Sequence, residues 1–216
     1  PVDARRAGKI AAPRGTGAPD ARAAAGQAGS REPRGKPPVE LAPSLSMETS
    51  GGGIQTRRVA VLMAPGVELG AYKVVQQALL EAGATTRVVA AHLGFVPSSS
   101  GQQVGVDHTF ATMPSVMFDA VLVPGGAAAA QALMKDGLAV HFVLEAYRHC
   151  KPLCLIGESA EILRNAGLLP PDGPPPAGVL IGSNEPTTRV QMAQDFIAAI
   201  AKHRQWARAL VEQVPA

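Results

Sequence analysis

Short apolar runs alternate with stretches of helical periodicity from residue 57 to 204. Arg58-Val59-Ala60-Val61-Leu62-Met63 is the first run, closed by Pro65-Gly66, and reads as a buried strand. Apolar residues then recur at helical spacing over 69–82, and Gly83 is a good helix stop. A second strand is expected over 85–91. Ser98-Ser99-Ser100-Gly101 marks the tip of a small hairpin whose return arm is 103–109. Phe118-Asp119-Ala120-Val121-Leu122-Val123 is a third core strand, ended by Pro124-Gly125-Gly126. An Ala-rich helix runs to about 134 and another over 138–149. The fourth core strand, 151–156, is followed by a helix over 158–165. After a proline-rich loop at 170–178 comes a short strand at 179–181. Thr187 or Thr188 is placed to cap a last helix reaching about 203, and 205–216 reads as an extended tail.

Strands alternating with helices imply right-handed βαβ units and a mainly parallel sheet covered on both faces. The working face of such a sheet is the carboxyl ends of its strands. Here those ends are Met63-Ala64-Pro65-Gly66-Val67-Glu68, Val123-Pro124-Gly125-Gly126 and Ile156-Gly157-Glu158. The last is a buried strand turning sharply into a helix, a corner where α/β hydrolytic folds hold a nucleophile beside backbone N–H groups. Gly157 has no side chain to attack with.

Residues 1–46 follow another pattern. They are rich in Ala, Gly, Pro and Arg without hydrophobic period, so they cannot bury enough apolar surface to offset ordering entropy. A disordered linker over 1–56 is expected, with a domain over 57–204. The linker also explains the charge. Residues 1–46 carry eight Lys/Arg against four Asp/Glu, whereas 59–216 carry ten against twelve. The formal +3 therefore belongs to the linker, and with aromatics at 4% no nucleic-acid face is expected on the domain. No apolar run reaches the ~20 residues of a membrane helix, and no secretory leader is read, so a cytoplasmic location is expected. The sequence opens on Pro1, which suggests a fragment or processed product.

Candidate chemistry is sparse. Cys154 falls mid-strand and reads as a small core residue; Cys150 ends a helix, where the dipole disfavours a thiolate. Ser159 is an alternative nucleophile only with a base nearby, and a helix-start serine is more commonly a cap or first-turn residue. His92, His108, His141, His149 and His203 show no metal-ligand spacing. The 64–68 loop lacks a phosphate cradle, and Glu68 would repel a phosphate at that helix start.

The stretch 118–126 resembles the strand and glycine turn of the PfpI-like, class I glutamine amidotransferase-like superfamily. Lys151-Pro152-Leu153-Cys154-Leu155-Ile156 is similar to the strand leading to that superfamily's nucleophile, with Gly157 on the cysteine position. Glu158 falls where catalytic members often have histidine, Ser159 where they usually have glycine, and Glu68 on the elbow-facing glutamate. Further stretches narrow the likeness. Leu41-Ala42-Pro43-Ser44-Leu45-Ser46-Met47 with the strand 54–62, the segment 143–152, and the ending 199–216 resemble the C-terminal domain of large-subunit haem catalases.

That resemblance implies a flavodoxin-like three-layer α/β sandwich without a nucleophile. It implies a vestigial pocket of Glu68, Gly125, Gly126, Gly157, Glu158 and Ser159. The parent would disproportionate hydrogen peroxide at a haem in a homotetramer, in oxidative stress defence. The haem would be held by an upstream domain, so this segment is expected to hold no cofactor and no metal, and Tyr72 and Tyr147 are not assigned to iron. The domain's expected job is to pack on the haem domain and stabilise the tetramer, with no nucleic-acid or membrane partner. One alternative is a free-standing PfpI-like hydrolase, glyoxalase or chaperone using Glu68 with Ser159 or a displaced cysteine. Another is a module binding a ligand at Gly125/Gly126, where Glu68 argues against anions.

Overall fold

The computed structural model describes residues 52–171 and 173–214. Residues 1–51 of the linker expected over 1–56 lie outside them. The first three strands and first helix are β1 (Arg58–Leu62), α1 (Leu69–Glu81), β2 (Thr85–Ala90) and β3 (Gly94–Pro97). The chain continues through β4 (Gln103–Val106), β5 (His108–Thr109), β6 (Ala120–Val123), α2 (Ala127–Lys135) and α3 (Gly137–Arg148). It ends with β7 (Leu153–Ile156), α4 (Glu161–Asn165), β8 (Val179–Gly182) and α5 (Arg189–Ala201).

Six strands form one parallel sheet in the order β5-β2-β1-β6-β7-β8. Helices cover both faces: α1 packs with α5, and α2 packs with α3 and α4. That double cover explains why β6 and β7 are apolar at every position, since both faces of a central strand are buried. The order reverses direction between β1 and β6. The loops leaving these neighbours diverge, and the crevice between them is where open α/β sheets place their sites. Glu68 follows β1 and Gly125 follows β6.

Helix ends follow local chemistry. At α1, Gly83 takes φ 85° while the next N–H, of Ala84, reaches back to the Leu79 carbonyl at 2.9 Å. The same closure ends α3, but Cys150 occupies the left-handed position at φ 55° and Lys151 donates to the Ala146 carbonyl at 3.0 Å. The start of α3 is capped by Asp136, whose carboxylate accepts from Leu138 and Ala139 N–H at 2.9 and 3.3 Å.

Several expected boundaries shift. Ile54 is already buried and Thr56 N–H bonds to the Gly83 carbonyl at 2.9 Å, so the folded body begins inside the stretch read as linker. The hairpin's return arm ends at Val106. β3 and β4 form a separate antiparallel pair, and β5 departs to join the sheet edge beside β2. The turn after β7 is a 3-10 turn over Gly157–Ala160, so the helix starts only at Glu161. Thr188 precedes α5 but makes no side-chain cap; its hydroxyl meets Ser183 Oγ at 2.9 Å and the Glu185 carbonyl at 3.1 Å.

The segment read as an extended tail is packed instead. Gln205 N–H bonds to the Cys150 carbonyl at 2.8 Å, and Val214 is buried in the core. Arg208 is buried, donating from Nε to the Ala177 carbonyl at 2.8 Å and from Nη1 to the Tyr147 carbonyl at 3.0 Å. Its guanidinium lies 4.9 Å from the Tyr147 ring centroid, and the Tyr147 hydroxyl donates to the Ala209 carbonyl at 2.8 Å.

Candidate functional site

The elbow survives as backbone. Gly157 leaves β7 at φ +58°, a conformation that costs an L side chain roughly 1–2 kcal/mol. Gly157 is exposed, and no neighbouring atom lies within 4 Å of where a Cβ would sit. Room for a nucleophile therefore persists, while the group itself is absent.

Across from it, Gly125 and Gly126 sit tightly against the first loop. The Gly125 carbonyl accepts the Glu68 N–H at 2.9 Å. A Cβ on Gly125 would lie 3.3 Å from the Ile156 carbonyl oxygen and 3.7 Å from Glu68 Oε2. Gly126 holds φ +118°, and a Cβ there would overlap the Gly66 carbonyl oxygen at 2.5 Å. Gly126 is thus required by close backbone approach, while a side chain at Gly125 would press on the Ile156 carbonyl.

Each carboxylate has a specific use. Glu68, half-buried, takes a short hydrogen bond from Asn184 Nδ2, while Asn184 Oδ1 accepts the Ala71 N–H at 3.0 Å. Asn184, on the β8–α5 loop, thereby caps α1 from 113 residues away in sequence. Arg189 holds that asparagine by donating to its carbonyl from Nε at 3.0 Å and from Nη2. Glu158 reaches across the crevice and accepts the Gly126 N–H at 3.3 Å. The resemblance to the PfpI-like superfamily implies that this glycine turn approaches an oxyanion in catalytic members; here the Glu158 carboxylate takes the Gly126 N–H.

Ser159 is fully buried. Its hydroxyl donates to the Val123 carbonyl at 3.0 Å and the Ile156 carbonyl at 2.9 Å, joining the ends of β6 and β7. Both acceptors are backbone carbonyls, so the hydroxyl neither accepts a helix N–H as a cap nor meets a base. Cys154 is buried mid-strand and burial pushes its thiol up to about 12, far from a reactive thiolate. Cys150 is buried at the end of α3.

Glu68, Gly125 and the Ile156 carbonyl therefore converge, and Glu158 joins Gly126. Gly157 stays apart: the Glu68 carboxylate comes nowhere within 4 Å of its missing Cβ. The cavity that Glu68 does border runs outward past Lys73, Ser99, Gln102 and Asn184, and none of the three glycines lines it. Of the histidines, His149 pairs with Glu145 at 3.2 Å and His203 lies 4.0 Å from Asp119. Among the described residues no group of three or more His, Cys, Asp or Glu side chains converges as a metal site, and no helix is long and apolar enough to cross a membrane. Asn184 and the Glu158 contact carry no local sequence signal.

A parallel six-stranded sheet with a left-handed glycine elbow, a glycine turn and a glutamate at its switch point has the fold of the solved DJ-1 and ThiJ/PfpI domain proteins. Solved structures agree on the fold. Oxidized DJ-1 of Toxoplasma gondii superposes with a TM-score of 0.60 at 18% identity, covering 74% of this chain and 96% of that one. A ThiJ/PfpI domain protein of Brachyspira murdochii gives 0.58 at 17% identity, covering 68% and 97%.

Within that class the family is narrower. Residues 55–210 match the model of the C-terminal domain found in long catalases, and the chain belongs to that family. Catalase HPII of Mycobacterium avium is 38% identical over 188 residues, which is 82% of this chain and 26% of that protein. The chain thus spans about a quarter of that relative's length.

Proposed function

We propose that the chain is a non-catalytic C-terminal domain of a haem catalase, and that it serves assembly. The parent would disproportionate hydrogen peroxide at a haem held by an upstream domain, as part of cytoplasmic oxidative stress defence. This domain would pack on that core and stabilise a homotetramer. The observation that carries the reading is Gly157: the elbow keeps its left-handed backbone and open room, in a member of the long-catalase family, with no reagent at its tip.

Its surface suits docking. Leu93 and Phe95 are 67% and 73% exposed on and beside β3, while Val116 is 71% exposed at the other end of the sheet. Leu93 and Phe95 lie close together in the chain, and neighbouring exposed apolar side chains are the kind of surface an association can cover. The chain with free PfpI-like activity gains no support, since Ser159 is tied to two carbonyls and Cys154 is sealed in β7.

The test compares three proteins: this chain alone, a long catalase, and the same catalase with this domain deleted. The chain alone is expected to show no haem absorbance and no peroxide turnover. The truncated catalase should lose tetramer stability to heat or dilution. Robust turnover by the chain alone, or a truncated catalase as stable as the intact one, overturns the proposal.

A further inference from the structure

At the amino ends of the strands, opposite the elbow, a cavity of about 230 Å³ is lined by Val116, Arg148, His149, Cys150, Lys151, Arg204 and Trp206. Three of these are basic: Arg148, Lys151 and Arg204. Lys151 is almost completely buried at 1% exposure, and its Nζ donates to a neutral acceptor, the Ser115 carbonyl, at 2.6 Å. Among the described residues no carboxylate oxygen lies within 4.0 Å of Lys151, Arg148 or Arg204. The nearby acids are engaged elsewhere: Asp119 holds Arg57 at 3.0 Å and the Arg58 N–H at 2.9 Å, and Glu145 holds His149.

A buried ammonium without a counter-charge is costly, and proteins normally pair or neutralise it. Here burial, followed by the Arg204 charge, pushes Lys151 down to about 8, while Asp119 and Glu145 only partly offset this. Two guanidiniums and an ammonium around one hollow match a multivalent oxyanion better than a monoanion. The volume falls below the ~300 Å³ at which drug-sized ligand pockets begin, so the cavity suits an anionic group rather than a whole nucleotide. Trp206, half exposed at the rim, offers an apolar face to anything attached to that group.

We propose that this cavity binds a phosphate group, with Lys151 at its floor and Arg148 and Arg204 on its walls. The source is inorganic phosphate or the phosphate of a small organic phosphomonoester; the Trp206 rim distinguishes them. The site is separate from the elbow and independent of the assembly role.

Trp206 is the chain's one tryptophan and serves as the reporter. The full 216-residue chain is titrated with inorganic phosphate and with phenyl phosphate at constant ionic strength, with chloride as the control anion. A saturable fluorescence change is expected with phosphate and not with chloride. Tighter binding of phenyl phosphate identifies an organic phosphate as the source; equal binding identifies the free ion. Arg148→Ala and Arg204→Ala should each weaken binding about tenfold or more, the worth of a charge-assisted hydrogen bond. Lys73→Ala, outside the cavity, should leave binding unchanged. Lys151→Met should abolish it, and the exposed Arg148 keeps the test decisive if that variant does not fold. No saturable change, the same change with chloride, or wild-type binding in both arginine variants overturns the proposal.

Discussion

The carboxylate of Glu158 accepts the backbone N–H of Gly126 at 3.3 Å, bridging the turn after β7 to the turn after β6. The donor that would face an oxyanion is thus occupied from within the elbow, one residue past the position that lacks a nucleophile. Installing the missing group tests this arrangement. Gly157→Cys should add one thiol that reacts rapidly with a disulfide reagent in the native protein, because that position is exposed and open. Cys150 and Cys154, both buried, should react only on unfolding. Adding Glu158→Ala removes a negative charge beside the thiol and frees the Gly126 N–H. The pH-rate profile of the thiol should then move to lower pH. An identical profile with and without Glu158 would show that the two groups do not communicate.

Two glycines with positive φ should respond differently to alanine. Gly157→Ala meets open space and incurs only backbone strain, about 1–2 kcal/mol. Gly126→Ala meets the Gly66 carbonyl at 2.5 Å and the Glu68 nitrogen at 3.2 Å, both backbone atoms that cannot swing aside. Strain plus overlap should cost about 3 kcal/mol or more. Urea unfolding midpoints decide it: equal losses in the two variants contradict the packing described at the switch point.

Ser159→Ala should destabilise the fold by about 1–3 kcal/mol, because Val123 and Ile156 both lose a buried donor. A stability loss below the error of denaturant titration would show that the two carbonyls find other partners.

The sheet's centre was readable from sequence because β1, β6 and β7 are buried on both faces, and burial leaves continuous apolar runs. Gly83 is legible as a helix stop, and Gly126 and Gly157 through the superfamily resemblance; all three hold positive φ. What escaped depends on contacts across the fold. Asn184 reaches Glu68 across 116 residues, and Arg208 reaches Tyr147 across 61. Neither pair leaves a periodic signal. The end of the chain reads as extended because its elements are one 3-10 turn and single contacts, although Val214 is buried in the core. The sequence pattern runs β5 into the hairpin because two residues cannot show alternation; only the pairing of His108 and Thr109 with Val89 and Ala90 sets it apart.

Stability should depend on pH with a definite sign. Lys151 titrates near 8 in the folded chain against an ordinary 10.5, so between those values the unfolded chain binds more protons. Stability therefore rises as pH increases through about 8, and the cost of burying the ammonium is fully present below it. Cys154 works oppositely: its ordinary value of 9.0 rises to about 12 in the fold, so above 9 the unfolded chain loses a proton that the native state keeps. Stability contributed by the buried thiol falls from there. Urea midpoints should climb between pH 8 and 9, and Lys151→Met should flatten that climb. Cys154→Ala should remove the opposing fall above 9. A Lys151→Met chain with the wild-type slope between 8 and 9 would assign the titration to another group.

Arg208 should be the side chain that holds the last segment down. It joins the Ala177 loop to the end of α3 through two carbonyls and lies over the Tyr147 ring, while burial pushes its guanidinium down to about 10. Its planar fork makes these contacts together, which an ammonium cannot reproduce. Arg208→Ala leaves the Ala177 carbonyl without its donor and the Tyr147 carbonyl with only the Cys150 N–H, and should cost about 1–3 kcal/mol. Arg208→Lys should recover less than half of that. The loss should also be local at first: amide exchange should speed up over 205–214 before it does in β6 or β7, because those strands lie at the sheet's centre. Full rescue by lysine, or uniform acceleration across the sheet, would mean that Arg208 acts through its charge or through global stability rather than by clamping the chain's end.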